Sequence, residues 1–355
     1  MKKFRKIGVL TSGGDAPGMN AAVRAVTRAA LAEGVEVIGI KCGYSGLIKE
    51  DVVPLTLRDV SNKMNKGGTF LYSDRCREML EESGKQKAVA TCKKLGIDGI
   101  VAIGGDGTFR GAMSLTERGI PCIGIPGTID NDITSTDNSI GYDTAMNTVI
   151  EMVDRLRDTC ESHARCNVVE VMGRGAGDIA LNTAIATGAT AVVIPEIPYD
   201  DDAICKKIAA SKKIGKRNFI VLVSEGVGSD YAPALADKIQ KDTGVETKFA
   251  RLAHVVRGGN PTLRDRVLAS AMGVKAVEQL LLGNSNLVIC ERHGDIVATD
   301  ISFALTADKM NKKIVVSADE LASFSKEERE AMQALVDERC ADIARLYAIA
   351  EKINL

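Results

Sequence analysis

Short apolar runs alternate along this chain with longer stretches in which apolar residues recur every three or four positions. The runs are Ile7–Leu10, Val35–Ile40, Ile97–Ile103, Cys122–Ile125, Asn167–Val171, Thr190–Ile194, Phe219–Ser224 and Asn286–Cys290. Several hold almost no polar residue, as strands do when helices cover both faces of a parallel sheet. Between the runs, spacings such as Ala22, Val26, Ala29 and Ala30 read as helix. This βαβ alternation predicts an α/β, doubly wound architecture. The tail differs. Ser325-Lys326-Glu327-Glu328 has the form of a capping box, and Met332, Leu335, Val336, Ile343, Leu346, Ala350 and Ile353 follow at helical spacing. One long amphipathic helix is expected there, packed on the body or on a neighbouring subunit.

The chain has 355 residues, and at roughly 150 residues per domain two domains are expected. Hydrophobic residues make up 45% and charged residues 26%, ordinary values for a globular protein. Forty-six Lys+Arg against 47 Asp+Glu leave a net charge of −1, so no general basic field exists to hold nucleic acid. No apolar run approaches the ~18–20 residues of a membrane span. The apolar segment behind the basic Met1–Lys6 stops at Leu10, too short for a signal-peptide core. Nine cysteines without a C-x-x-C pair point to reduced, mostly buried thiols in a cytoplasmic protein. Three histidines without metal-ligand spacing argue against zinc chemistry.

Glycine changes the picture most. Thirty-four residues are glycine, about 10% of the chain against a usual ~7%. Thr11–Asp15, Gly104–Thr108, Pro126–Asp132, Met172–Arg174 and Glu225-Gly226 each follow a predicted strand. Ligands of an open parallel sheet bind beyond the carboxyl ends of its strands, so these segments are expected to converge on one crevice. In Gly104-Gly105-Asp106-Gly107-Thr108 the missing Cβ atoms let backbone N–H groups close on phosphate, and the acid can hold Mg²⁺. The same residues also suit a tight turn with a solvated Asp. Asp130 and Asp132 supply either a proton acceptor and a supporting acid for phosphoryl transfer, or a pair of turn acids. Arg165, Arg174, His254 and Arg257 lie beside strand ends and glycines, where cations grip phosphate. No G-x-x-x-x-G-K-[ST] loop occurs, and residues 105–111 do not match G-x-G-x-x-G. A P-loop kinase and an ordinary dinucleotide-binding dehydrogenase are therefore both disfavoured.

Ile7–Asn20 (IGVLTSGGDAPGMN), the Gly104–Thr108 loop, Pro126–Asp132 (PGTIDND), Val168–Arg174 (VVEVMGR) and His254–Gly259 (HVVRGG) resemble the signatures of the 6-phosphofructokinase family, in order and spacing. The resemblance implies Mg²⁺-assisted transfer of the γ-phosphoryl group of ATP to the 1-hydroxyl of fructose 6-phosphate. It implies two Rossmann-like domains with the active-site cleft between them, plus a C-terminal helical extension. The larger, nucleotide-binding domain would be residues 1–141 and 256–306, the smaller, sugar-phosphate-binding one residues 142–255 and 307–324, and the helix residues 325–355. Asp130 matches the family's proton acceptor and Asp106 its Mg²⁺ ligand, with Thr128, Asp132 and Arg174 as further catalytic positions. Gly14, Arg75, Cys76, Gly105, Asp106, Gly107 and Thr108 match ATP contacts. Thr128, Ile129, Asp130, Met172, Gly173, Arg174, Glu225, Val255 and Val256 match the sugar site. His254, Arg257, Lys248 and Arg165 match phosphate ligands, Arg165 coming from a neighbouring subunit, which implies a homotetramer.

Pyrophosphate-dependent relatives carry an acid at the position of Gly107 and a lysine at that of Gly127; glycine at both leaves room for ATP. Lys248 stands where an arginine is usual and loses its planar fork; Arg251 lies nearby and could compensate, although it does not align with that position. Arg24, Arg28, Arg157 and Lys216 match basic residues of an effector site, but Thr190, Asn218, Leu57 and Ile214 replace residues on which familiar ADP or phosphoenolpyruvate control depends.

Overall fold

A computed structural model of the chain describes residues 4–353. They form two compact units. The first contains the chain up to Ile129, with Ile133–Thr144 and Arg257–Val336; the second contains Asp130–Asp132, Ala145–Val256 and the chain from Asp337 on. In order, the first unit builds β1 (Lys6–Thr11), α1 (Met19–Ala32), β2 (Glu36–Ile40), α2 (Gly43–Lys49), β3 (Val52–Leu55), α3 (Glu82–Leu95), β4 (Gly99–Gly104), α4 (Asp106–Thr116) and β5 (Cys122–Pro126). Helix α5 (Tyr142–His163) leads into β6 (Cys166–Val171), α6 (Asp178–Thr187), β7 (Ala191–Val193), α7 (Asp201–Lys213), β8 (Phe219–Ser224), α8 (Tyr231–Thr243) and β9 (Thr247–Arg251) of the second. The chain then returns through α9 (Leu263–Leu281), β10 (Leu287–Arg292), β11 (Asp295–Asp300), α10 (Ile301–Asn311) and α11 (Ala318–Ala322) to α12 (Lys326–Ile353).

The first unit's sheet has the order β11-β10-β5-β4-β1-β2-β3. Its interior pairs are parallel, and antiparallel pairs occur at the two edges, β2–β3 and β10–β11. β1, β4 and β5 are buried almost throughout, as their unbroken apolar sequences require. The second sheet, β7-β8-β6-β9, is wholly parallel, and Val168, Phe219, Val221 and Val193 build its core with Ile204, Ile208 and Ile239 from α7 and α8.

Residues 307–324 correct the expected domain bounds. They lie in the first unit, because α10 packs Ile301, Ala304 and Leu305 into that unit's core and Glu320 of α11 binds Lys309 and Thr306. The long terminal helix forms where its capping box predicts. Ser325 and Glu328 exchange the reciprocal bonds, backbone N–H of each to side chain of the other, at 2.7 and 3.1 Å. Its stripe buries Met332, Ile343 and Ala350, whereas Ile353 stays exposed. Of the cysteines, Cys42 and Cys76 are half-buried, Cys340 is exposed and the other six are buried.

Candidate active site

In the first unit the chain leaves β1 toward β2 on one side, while β4 and β5 lie on the other. Loops following β1 and β4 therefore diverge over one crevice at a strand-order switch. The Gly13-Gly14 turn and the Gly105–Thr108 helix start occupy those two positions. Gly104 is obligatory, since a Cβ there would sit 2.3 Å from Thr108 Oγ1 and 2.4 Å from the Ser12 carbonyl. That contact lets the Thr108 hydroxyl donate to Ser12 O at 3.1 Å and tie the two loops together. Gly105 and Gly107 are different: a Cβ on either meets no heavy atom within 4 Å. Open space thus lies over the start of α4, where N–H groups and the helix field favour an anion. Ser73 and Asp74 stitch the neighbouring loop to the same turn through Gly13, and Asp74 Oδ1 accepts the Arg75 N–H at 2.7 Å. This brings Arg75 and the half-buried Cys76 to the same loop cluster as Gly14. The Ser45 hydroxyl, then the Arg75 N–H, hold the Asp74 carboxyl below its ordinary pKa.

Asp106 opens α4. Its Oδ2 lies 3.0 Å from Lys312 Nζ, whereas its Oδ1 is buried without a hydrogen-bond partner. Asp308, one helical turn before Lys312, is buried beside it. Burial, then the Asp106 carboxylate, pushes the Asp308 carboxyl far above its ordinary pKa. Lys312 and Asp308 were not expected from sequence. The available signal was an acid at Asp308 on the face of α10 that buries Ala304 and Leu305. Arg257 sits against the Gly14 position, with Nη1 donating to Asp15 O at 3.2 Å. Gly127 does not open onto space: a Cβ there would meet Ile103 and Met19 at 3.0 and 3.2 Å. The Thr128 carbonyl accepts the Ser139 hydroxyl at 2.6 Å.

The second unit assembles the other candidates. Asp130 and Asp132 are both buried, and Arg174 Nη1 lies 3.5 Å from Asp132 Oδ2. Arg174 follows β6 in a left-handed conformation, φ 57°, and Gly173 precedes it at φ 150°. Glu225, just after β8, holds this turn by accepting the Gly173 and Arg174 N–H groups at 3.2 and 2.7 Å. Met172 is half-buried at the head of the same turn. Glu246 gathers the two expected phosphate ligands, with Arg165 Nε at 2.8 Å and Lys248 Nζ at 2.9 Å. Those hydrogen bonds, Arg165's first, pull the Glu246 carboxyl down to about 2. Arg251 is no substitute for Lys248. It is committed to buried Glu170 at 2.6 Å, to Ser229 O at 2.8 Å and to the Phe249 ring. His254 and Val255 are exposed, but the Val256 side chain is fully buried, as is that of Ile129, so either could meet a ligand through backbone alone.

Of the expected effector residues, Arg157 donates to Thr187 O and, at 3.0 Å, to Asn218 Oδ1. Lys216 has its pKa lowered by burial, then by Arg157 and Lys207. Arg24 and Arg28 lie on α1 in the other unit. Among the described residues no group of three or more His, Cys, Asp or Glu could hold a metal by itself, and no helix is long and apolar enough to cross a membrane.

Both units are α/β, and the glycine-rich turns after their strands include no P-loop. The chain belongs to the phosphofructokinase family, which it matches over residues 6–280. It is 50% identical over 306 residues to the ATP-dependent 6-phosphofructokinase of Clostridium botulinum, covering 86% of this chain and 95% of that one. The same identity holds over 308 residues of the Enterococcus faecalis protein of that name. Among solved structures, phosphofructokinase from Saccharomyces cerevisiae superposes with a TM-score of 0.84 at 30% identity, covering 97% of this chain and 49% of the yeast chain. This chain thus spans about half the length of the yeast one. A pyrophosphate-dependent phosphofructokinase from Marinobacter aquaeolei shares the fold, with a TM-score of 0.74 at 21% identity over 94% of this chain and 92% of its own.

Proposed function

We infer that this chain is an ATP-dependent 6-phosphofructokinase, transferring the γ-phosphoryl group of ATP to the 1-hydroxyl of fructose 6-phosphate. The observation that carries this reading is its half-identity to curated ATP-dependent 6-phosphofructokinases along 95% of their length. The open space at Gly105 and Gly107 supports ATP as donor, since a nucleotide α-phosphate needs the room that an acidic side chain would fill and repel. Asp130 accepts the proton of the sugar hydroxyl. Asp132 and Arg174 pair beside it, and Arg174 contributes positive charge for the transferring group. Glu225 orients the Gly173-Arg174 turn, and Arg165, Lys248 and His254 take the 6-phosphate.

Asp106 fits an Mg²⁺ role: a buried carboxylate oxygen without a hydrogen-bond partner stands at a helix start open to phosphate. A single carboxylate suits Mg²⁺, which keeps several waters and takes its remaining oxygens from the substrate. When bound, the ion would neutralise charge on the β- and γ-phosphates. A homotetramer, a cytoplasmic location and an anionic effector at Arg157 and Lys216 complete the proposal.

Asp130→Ser tests it. Turnover with ATP falls by about 10²–10⁴-fold while fructose 6-phosphate binding survives. Assays with ATP and pyrophosphate side by side separate the donors, and faster turnover with pyrophosphate would overturn the ATP reading.

A further inference from the structure

Arg339 lies on α12, beyond residues 6–280 that match the family. Its side chain is 13% exposed. One guanidinium nitrogen, Nη2, donates both to the backbone oxygen of Asn131 and, at 3.0 Å, to Asp178 Oδ2. Asn131 is the residue between Asp130 and Asp132, and its backbone is left-handed, φ 51°. Asparagine adopts this conformation more readily than other residues with a side chain, and here its contacts hold it. Asp178, first residue of α6, hydrogen-bonds the Asn131 side chain as well as Arg339. Glu196 braces the helix start behind it by accepting the Gly177 N–H at 2.8 Å, and a Cβ at Gly177 would collide with Glu196 and Ile194. All of these residues belong to one compact unit.

We propose that Arg339 is a positioning residue for phosphoryl transfer: by holding the Asn131 carbonyl against Asp178, it fixes the directions of the Asp130 and Asp132 carboxylates. The guanidinium suits this task because the two hydrogens of Nη2 are held in its plane and meet two acceptors in fixed directions, whereas an ammonium rotates freely. The terminal helix thereby becomes part of the catalytic apparatus without touching substrate. The proposal rests on the kinase reading above, and wild-type activity tests that reading separately.

The experiment compares wild type, Arg339→Lys, Arg339→Gln and Arg339→Ala in ATP-dependent assays, with thermal midpoints alongside. A displacement of ~1 Å at the reacting groups costs about 10²-fold in rate. Arg339→Gln is therefore expected to lower kcat by about 10–100-fold while the KM for ATP changes less than about twofold. Arg339→Lys keeps charge and bulk, remains folded and falls between the two. Guanidinium ion at non-denaturing concentration raises the kcat of Arg339→Ala severalfold and leaves wild type unchanged. Wild-type kcat in folded Arg339→Lys and Arg339→Gln would overturn the proposal. So would a loss in Arg339→Ala that guanidinium does not restore. An inactive wild-type chain would sink the kinase reading instead.

Discussion

At position 107 the absence of a side chain leaves space over a helix start, and at position 127 it does not. This separates two glycines that the sequence treats alike. Gly107→Asp places a carboxylate in open space, so the fold should be nearly unaffected. Like-charge repulsion with the nucleotide of about 2 kcal/mol should lower kcat/KM for ATP by ~30-fold. Steady-state kinetics with unchanged thermal midpoint checks this, and equal kcat/KM would mean that phosphate does not approach Gly107. Gly127→Lys must instead displace Ile103 and Met19. Glu246 binds two of the candidate phosphate ligands. Its neighbours Arg165 and Lys248 were legible as cations, but the carboxylate that neutralises them was not, because the pairing with Arg165 is a contact across distant sequence. Glu246→Gln should lower the KM for fructose 6-phosphate severalfold by releasing both cations. A raised KM would make Glu246 their support rather than their competitor. A carboxyl held at about 2, below its ordinary 4.5, stabilises the fold above the unfolded value and loses that contribution as pH falls through the folded one. The gap in thermal midpoint between wild type and Glu246→Gln, small because the group is exposed, should fade between pH 4.5 and 2. A constant gap across that window would contradict the assignment.

Elements with strong apolar runs were readable in the chain, and those without them were not. β1, β4, β5, β6 and β8 are buried on both faces, so their sequences carry the signal. β3, β9 and β11 escape because each is an edge strand with several exposed or half-buried positions. In α12 the capping box and stripe were both legible, and Arg339 sits where that stripe continues between Val336 and Ile343. A charge on a buried face was thus the visible trace of a polar partner, although only the fold reveals that the partners are Asn131 and Asp178. A similar buried polar joint ties α9 to the start of α5. Asp265, 1% exposed, accepts the Gly141 N–H at 2.8 Å, the Thr144 N–H at 2.9 Å and the Thr144 hydroxyl. Asp265→Ala orphans those donors and should destabilise the protein by about 2–4 kcal/mol in denaturant unfolding. A loss below about 0.5 kcal/mol would show that water replaces the carboxylate.

At the scale of the whole molecule, what a single chain's sequence displays least is which surfaces meet another copy. Leu263 and Val267, one turn apart on α9, are 80% and 61% exposed, and Val274 on the same helix is 42% exposed. Apolar surface of this kind on one helix fits an interface between subunits. The proposed tetramer draws Arg165 from one subunit and His254 from another, and that arrangement is testable without a structure of the assembly. Arg165→Ala and His254→Ala should each be nearly inactive as homotetramers. Mixed tetramers formed by co-expression would contain some sites that receive Arg165 from one parent and His254 from the other. With random assembly and a closed symmetric oligomer, roughly a quarter of sites are restored and another quarter carry both lesions. Co-expressed protein should therefore recover about a quarter of wild-type turnover at saturating substrate, whereas the two variants mixed without subunit exchange recover none. If both residues serve the same subunit's site, no mixture regains activity, and Arg165 and His254 must then be placed in one chain's phosphate pocket.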